Sequence, residues 1–256
     1  MENTNLEDAA QFLAKAREAG LPGDRLPEGL RPTDLEAALW IQQRVLKLLG
    51  QDIGGWKCSV PSAERPILAA PIFASTIYAT SPYPVASTVD IARIEPEVAF
   101  LMGHDLPKRA TPYSEAEIRA AIDEPRLVLE ILGTRYAQPG SVTWPEMMAD
   151  NVQNQGLFIG PTFARGLDAQ LNGFAVTIRT PDGVLSSHEG THGDRHPLNP
   201  LYWLANFLAE RGEGLRAGQV VTTGSYAGAI EVPIGPPLTV TYGDLGEVNI
   251  ELTRAT

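Results

Sequence analysis

The sequence predicts an α+β protein: a helical N-terminal region over residues 1–60, carried on a β-rich body over residues 61–256. Three observations support this. Apolar residues recur at helical spacing through the first fifty positions. Beyond them the chain changes to short apolar runs punctuated by glycine and proline, the texture of strands and turns. Only two further stretches in the body show a helical pattern. The body reads as one structural unit with the helices packed on it.

The first helix is marked by Leu6, Ala9, Ala10, Leu13 and Ala16, and it ends before Gly20. Residues 20–32 hold three prolines and three glycines and read as a loop. Thr33, with Glu36 three residues on, has the pattern of a helix-capping box. Leu35, Ala38, Leu39, Ile41, Val45 and Leu48 then form an apolar stripe up to Gly50. Strands are expected over 53–59, 91–102, 126–132, 156–160, 173–179, 218–223, 238–241 and 247–252. A helix is expected from Ser114 to Asp123, opened by a second Ser-x-x-Glu pair, Ser114 and Glu117. Another runs from Pro200 to Arg211 and is closed by Gly212. There is no internal repeat, heptad or low-complexity tract.

Composition narrows the function. The 256 residues include 20 basic and 31 acidic side chains, a formal charge of −11. That charge argues against a general binder of the phosphate backbone, so no nucleic-acid partner is expected. No run of apolar residues reaches membrane-spanning length. The acidic start Met-Glu-Asn-Thr-Asn-Leu-Glu-Asp lacks the basic and apolar regions of a secretory signal, so a cytoplasmic location is expected. The single cysteine, Cys58, forms no internal disulfide. Arginine outnumbers lysine sixteen to four, which makes the setting of each lysine informative.

The most informative stretch is Ile94-Glu95-Pro96-Glu97-Val98-Ala99-Phe100-Leu101-Met102. Strand side chains alternate faces, so Ile94, Pro96, Val98, Phe100 and Met102 share an apolar face while Glu95 and Glu97 share the other. Pro96 cannot donate to a ladder, which predicts an edge or irregular strand. A second run, Arg126 to Leu132, holds one acid, Glu130, among apolar neighbours on both faces, as in a buried strand. A buried carboxylate needs a partner. Two are open: an arginine, or a divalent cation shared with Glu95 and Glu97. Oxygen donors without nearby Cys or His suit Mg²⁺ or Mn²⁺ rather than Zn²⁺. Without a cation the three acids would raise one another's pKa.

Ile53-Gly54-Gly55-Trp56-Lys57-Cys58 places a rare lysine after an apolar, glycine-rich approach. Lys57 reads either as a partly desolvated acid–base group or as a surface lysine paired with one of many acids. His188-Glu189-Gly190-Thr191-His192 matches the zinc-protease pattern by letter only. That chemistry needs both histidines on one helix face, and the Gly and Ser density predicts a loop. The nucleophile-elbow pattern fails at Ala227, and no P-loop or dinucleotide fingerprint occurs.

Taken in order, these pieces resemble the fumarylacetoacetate hydrolase superfamily, and within it the 2-keto-4-pentenoate hydratase / 4-oxalocrotonate decarboxylase branch. The resemblance rests on Gly55-Trp56-Lys57, the run from Glu95 to Pro107, and Ala149-Asp150-Asn151. It continues through His196-Pro197, Trp203-Leu204-Ala205-Asn206 and Gly224-Ser225. It implies a mixed β-roll with helices outside it and Mg²⁺ or Mn²⁺ held by Glu95, Glu97 and Glu130. It also implies a pocket for a small 2-oxo acid. The implied reaction adds water to a 2-hydroxy-2,4-dienoate or 2-oxo-enoate through an enolate whose charge the cation stabilises, as in aromatic catabolism. Lys57 is then the group for proton transfer or enolate stabilisation, and Asn151 and Ser225 orient the substrate. The same resemblance leaves room for decarboxylation of a 4-oxalocrotonate-type 2-oxo acid, for an acylpyruvate C–C hydrolase, and for a non-catalytic partner subunit. A C–C hydrolase would want a His–Glu pair in an early helix or loop, and none stands there. Homo-oligomerisation, and association with a companion pathway enzyme, are implied as well.

The chain departs from the branch's usual Asp-Asn-Ala-Ser-Ser-Gly at 150–156. There the chain reads Asp150-Asn151-Val152-Gln153-Asn154-Gln155-Gly156, so two small hydroxyl residues are replaced by larger amides. The stretch from Ser186 to Arg195 is unusually polar and rich in histidine. Both changes are expected to reshape the substrate end of the pocket.

Overall fold

The apolar stripe at the N-terminus winds into α1 (Asn3–Ala19), and the second stripe into α2 (Leu35–Leu48), in a computed structural model that describes residues 3–163, 166–167 and 170–255. Asp34, not Thr33, caps α2: its carboxylate accepts the Ala37 N–H at 2.8 Å. An acid at that position also complements the helix dipole. Both helices bury their stripes in one apolar cluster with Phe73, Tyr136 and Met148 of the body.

The body is two sheets. Its strands are β1 (Ile53–Ser59), β2 (Leu68–Phe73), β3 (Ile77–Tyr78), β4 (Tyr83–Val85), β5 (Ile91–Met102), β6 (Ile122–Leu132) and β7 (Asn154–Thr162). After these come β8 (Gly173–Thr180), β9 (Gly183–Thr191), β10 (Val220–Ser225), β11 (Ile230–Pro233), β12 (Pro237–Tyr242) and β13 (Glu247–Arg254). Three body helices, α3 (Glu115–Ala120), α4 (Trp144–Ala149) and α5 (Leu198–Glu210), lie outside. The first sheet runs β2-β1-β10-β5-β6-β7-β3, with β11 also pairing with β5, and the second runs β4-β13-β12-β8-β9. Parallel pairs (β1–β10, β3–β7, β13–β4) mix with antiparallel ones. This is the mixed roll with peripheral helices that the resemblance implied.

The alternation in β5 sorts the two faces. Val98, Phe100, Leu127 and Leu129 meet Val240, Tyr242, Val248 and Ile250 of the second sheet in the main core. Tyr242 Oη donates to the Val128 carbonyl at 2.6 Å across the layers. The opposite face of the first sheet carries Glu95, Glu97 and Glu130 above a small cluster of Ile72, Ala99, Val128, Leu157 and Val220. β5 is interior rather than an edge, and Pro96 sits at an irregularity instead. The β10 pairing ends at Ser225↔Glu97 and the β11 pairing begins at Ile230↔Ile94, so the missing donor of Pro96 falls in the gap.

Other departures have local causes. The helix after Ser114 keeps its capping box with Glu117 but stops at Ala120, because β6 already starts at Ile122. Of the stretch from Ser186 to Arg195, expected as loop, residues up to Thr191 lie in the edge strand β9, paired with β8 from Gly173↔Thr191 to Thr180↔Gly183. Its inward positions are Ser186, His188 and Gly190, so the period of two is present but not written in apolar residues. A Cβ on Gly190 would meet the Phe174 carbonyl oxygen at 2.7 Å, so glycine there serves the ladder. Strands β2, β3, β4 and β11 and helix α4 were not expected. Among the described residues no helix is long and apolar enough to cross a membrane.

Candidate metal centre

Pairing of β5 with β6 sets Glu95 directly opposite Glu130, and Glu97 opposite Val128. Glu95, Glu97 and Glu130 each bring a carboxylate oxygen within 4.8 Å of the others, the one such cluster of potential metal ligands among the described residues. Like charges placed directly across a ladder repel. Glu97 and Glu130 are also almost fully buried, at 2% and 0% exposure, so water screens little of that repulsion.

β1 delivers the counter-charge. A Cβ on Gly55 would lie 2.4 Å from the Val220 carbonyl oxygen, so only glycine lets β1 close on β10. That pairing holds Lys57 beside Thr222. Lys57 Nζ donates to Glu130 Oε1 at 2.6 Å and to the Val152 carbonyl at 3.2 Å. Asn154 Nδ2 adds a third donor to Glu130 Oε1 at 2.9 Å. The buried partner of Glu130 is therefore a lysine, not an arginine. Glu130 Oε2 remains buried without a partner. Glu97 Oε2 accepts from Thr222 Oγ1 and from the Gly224 N–H at 2.9 Å, with Gly224 at a φ of 112° that favours glycine.

Burial first, then the charges of Glu130 and Glu95, push the Glu97 carboxyl up to about 8. Glu95 is raised as well, by burial and then by Glu130. Burial alone would lower Lys57, but Glu130, Glu95 and Glu97 outweigh it and its pKa is raised. A cavity of ≈ 260 Å³ opens over these groups, lined further by Arg93, Leu132, Val152, Gln153 and Ser225.

The carbonyl that steadies Lys57 comes from an unusual turn. Asn151, Val152 and Gln153 have φ of 52°, 49° and 61°, three successive left-handed residues, one of them β-branched. Such residues cost of order 1–3 kcal/mol each and persist only where their surroundings over-determine them. Here Asp150 does this. Its carboxylate takes Arg135 Nε and the Arg135 backbone N–H at 3.2 Å, and Arg17 of α1 reaches its backbone carbonyl at 3.2 Å. Replacing Asp150 with alanine is expected to lower stability by about 3–5 kcal/mol, as breaking a buried pair does. A urea melt with an unchanged midpoint would contradict this.

Of the residues singled out in the sequence, the structure brings together Glu95, Glu97, Glu130, Lys57 and Ser225. Ser225 lines the cavity, and its Oγ donates to the Gly228 carbonyl at 3.0 Å. Asn151 does not line it: its amide donates to the Pro71 carbonyl at 2.9 Å and holds the turn. Thr222 and Arg93 were missed, whereas Gln153 and Asn154 stand out in the sequence only as amides expected to reshape the pocket, without a partner for either. Arg93 was within reach of sequence reasoning, since the alternation that aligned Glu95 and Glu97 puts it on the same face. Nothing in the sequence marked Thr222. The histidines stand apart. His192 is buried, its Nδ1 accepts the Asp194 N–H at 3.1 Å, and burial lowers its pKa to about 4. With His188 on β9 and His192 just after it, the two share no helix face, so the zinc-protease reading stays excluded.

No family model matches the chain. A 2-keto-4-pentenoate hydratase from Paraburkholderia xenovorans (strain LB400) is 28% identical over 258 residues, covering 95% of this chain and 90% of that protein. The structure of 4-oxalocrotonate decarboxylase from Pseudomonas putida G7, complexed with magnesium and adipate, superposes with a TM-score of 0.79 at 20% identity over 98% of both chains. A fumarylacetoacetate hydrolase family protein from Yersinia pestis CO92 gives a TM-score of 0.55 at 17% identity, over 79% of this chain and 93% of that one. The chain is thus similar in sequence, over nearly its whole length, to a 2-keto-4-pentenoate hydratase, and it shares the fold of 4-oxalocrotonate decarboxylase and of fumarylacetoacetate hydrolase family structures. In this chain the left-handed turn at 151–153 lies next to the amide of Asn154, which bonds Glu130, and carries Gln153, which bonds Arg93.

Proposed function

We propose that the protein is a divalent-metal-dependent lyase that adds water to a 2-hydroxy-2,4-dienoate or 2-oxo-enoate, in the manner of a 2-keto-4-pentenoate hydratase. The observation that carries this reading is the meeting of three carboxylates, two of them almost fully buried, with Lys57 bonded to one of them. It is supported by near-full-length similarity to a named hydratase.

The residues fit a cation. Glu130 Oε2 is buried with no donor among the described residues, and the one cationic side chain among them in contact with these crowded carboxylates is Lys57. Glu95, Glu97 and Glu130 would hold Mg²⁺ or Mn²⁺, both of which take oxygen donors. When bound, the cation supplies a Lewis acid for the 2-oxo group and for negative charge developing there.

The chain's own groups do the rest. Converting a 2-hydroxydienoate to its 2-oxo form moves a proton from oxygen to carbon, and hydration then needs a proton handled at the neighbouring carbon. Lys57 Nζ is placed for this, fixed by Glu130 and by the Val152 carbonyl. The neighbouring Cys58 thiol is pushed far up by burial and then by Glu97, so it stays protonated and serves as lining. Leu68, Leu132 and Val152 form apolar wall that limits bulk water. Ser225, at the cavity edge, is proposed to orient the substrate.

In the chelator-treated protein, Glu97 holds a proton that the unfolded chain releases near 4.5 and the folded chain only near 8. Its contribution to stability is full below about pH 4.5 and is lost as pH rises through about 8. Thermal melts with chelator are expected to fall across that window, while melts with Mg²⁺ present hold or rise. Parallel curves with and without Mg²⁺ would contradict the linkage.

Turnover of 2-hydroxypentadienoate with Mg²⁺ or Mn²⁺, read with a CO₂ assay, tests the activity. The expected product is a hydrated 2-oxo acid without CO₂. Release of CO₂ would make the protein a decarboxylase. A metal-free, inert protein that activates a companion enzyme would make it a partner subunit. Residues 1–60 and 61–256 acting as one unit, a homo-oligomeric state, association with a companion enzyme and a cytoplasmic location complete the proposal.

A further inference from the structure

The cavity over the three acids is lined by two cations, Lys57 and Arg93. Lys57 is committed to Glu130 at 2.6 Å. Arg93 makes no ion pair with any described residue. Its Nη1 donates to Gln153 Oε1 at 3.1 Å, and its Nε and Nη2 bond to no described residue. It stands two residues before Glu95 and four before Glu97, on the face of β5 that they share, at the outer end. It also forms, with Leu132, the wall shared with a larger neighbouring cavity of ≈ 560 Å³. An anionic substrate approaching three carboxylates needs a positive group at that mouth, and Lys57 is already neutralised.

We propose that Arg93, aimed by Gln153, receives the carboxylate of the 2-oxo acid, the one adjoining the 2-oxo group. This rests on the metal-dependent reading above and goes beyond it by naming the group that recognises the anion. The guanidinium edge carrying Nε and Nη2 is the edge that pairs with a carboxylate through two parallel hydrogen bonds. Gln153 occupies one terminal nitrogen with a neutral acceptor, which fixes the plane of the fork without cancelling its charge. The left-handed φ of 61° at Gln153 belongs to the turn that brings its amide over the cavity. The amide that departs from the branch's small hydroxyl pattern thus acquires a role: Gln153 is a positioning residue for Arg93.

The test is calorimetric titration of oxalate into the metal-loaded full-length protein. Arg93→Met is expected to weaken oxalate binding about 10- to 100-fold, the range for hydrogen bonds between charged groups. Metal content and melting temperature should stay near those of the parent protein. Arg93→Lys should recover part of the loss. Gln153→Ala should give a smaller loss, and the double variant Arg93→Met/Gln153→Ala no more than Arg93→Met alone, because the two act through one group. A merely structural Gln153 would instead give additive losses, which would overturn its role. Titrations with 2-oxobutanoate and 2-oxoadipate locate the carboxylate. Equal losses for both support the proposal, and a loss confined to 2-oxoadipate overturns it by placing Arg93 at the far end. Metal-loaded Arg93→Met that binds oxalate as tightly as the parent also overturns it and leaves the metal-dependent reading standing. A parent protein that takes up no divalent cation removes that reading and this proposal together.

Discussion

Glutamine in place of Glu130 is expected to strip the protein of its cation and of its turnover together. The substitution changes little volume, and Lys57 keeps an acceptor, but one of the three clustered carboxylate charges proposed to hold the cation is lost from a fully buried position. Loss of a mere hydrogen-bonding partner behind a metal ligand costs about 10–100-fold in metal affinity, so loss of a ligand should cost at least that. Lewis-acid stabilisation amounts to several kcal/mol, and about 1.4 kcal/mol is tenfold in rate, so turnover should fall by about 10³-fold or more. Metal analysis after gel filtration and steady-state assays at saturating Mg²⁺ read the two effects. A variant that keeps one bound cation and turnover within tenfold would show that Glu130 is only the structural partner of Lys57.

Lys57→Met tests the proposed proton carrier separately from the proposed metal site. Turnover should fall by about 10²–10⁴-fold, the usual range for a general acid–base group, while the cation still binds. The chelator-treated variant should also be less stable by about 3–5 kcal/mol, because Glu130 loses its buried partner. Added Mg²⁺ should restore the melting temperature but not the rate. Lys57→Arg keeps a charge but does not release a proton at accessible pH, so it should recover stability and not turnover. Equal recovery of both by arginine would reduce Lys57 to an electrostatic role.

The sequence carried the site where side-chain alternation carries it. Period-two spacing in 94–102 put Glu95 and Glu97 on one face, and the isolated acid among apolar neighbours in 126–132 marked Glu130 as a buried charge in need of a partner. It could not show which partner, because Lys57 lies 73 positions away and reaches Glu130 only through the β1–β10–β5–β6 order. Asn151 was read as a contact to substrate, yet a left-handed turn redirects its amide to Pro71, and no local pattern announces that turn in a segment without glycine. β9 was missed because its inward face holds serine, histidine and glycine, so hydrophobic periodicity had nothing to register. Asp34 rather than Thr33 caps α2 because adjacent capping residues offer the same chemistry one position apart.

Anomalous diffraction from Mn²⁺-soaked crystals tests the central claim most directly. The expected map has one strong peak bounded by oxygens of Glu95, Glu97 and Glu130, each within about 2.5 Å, with the Glu130 oxygen that now lacks a donor among them. A map in which saturating Mn²⁺ leaves that space dark, or lights up only at surface acids, would contradict it.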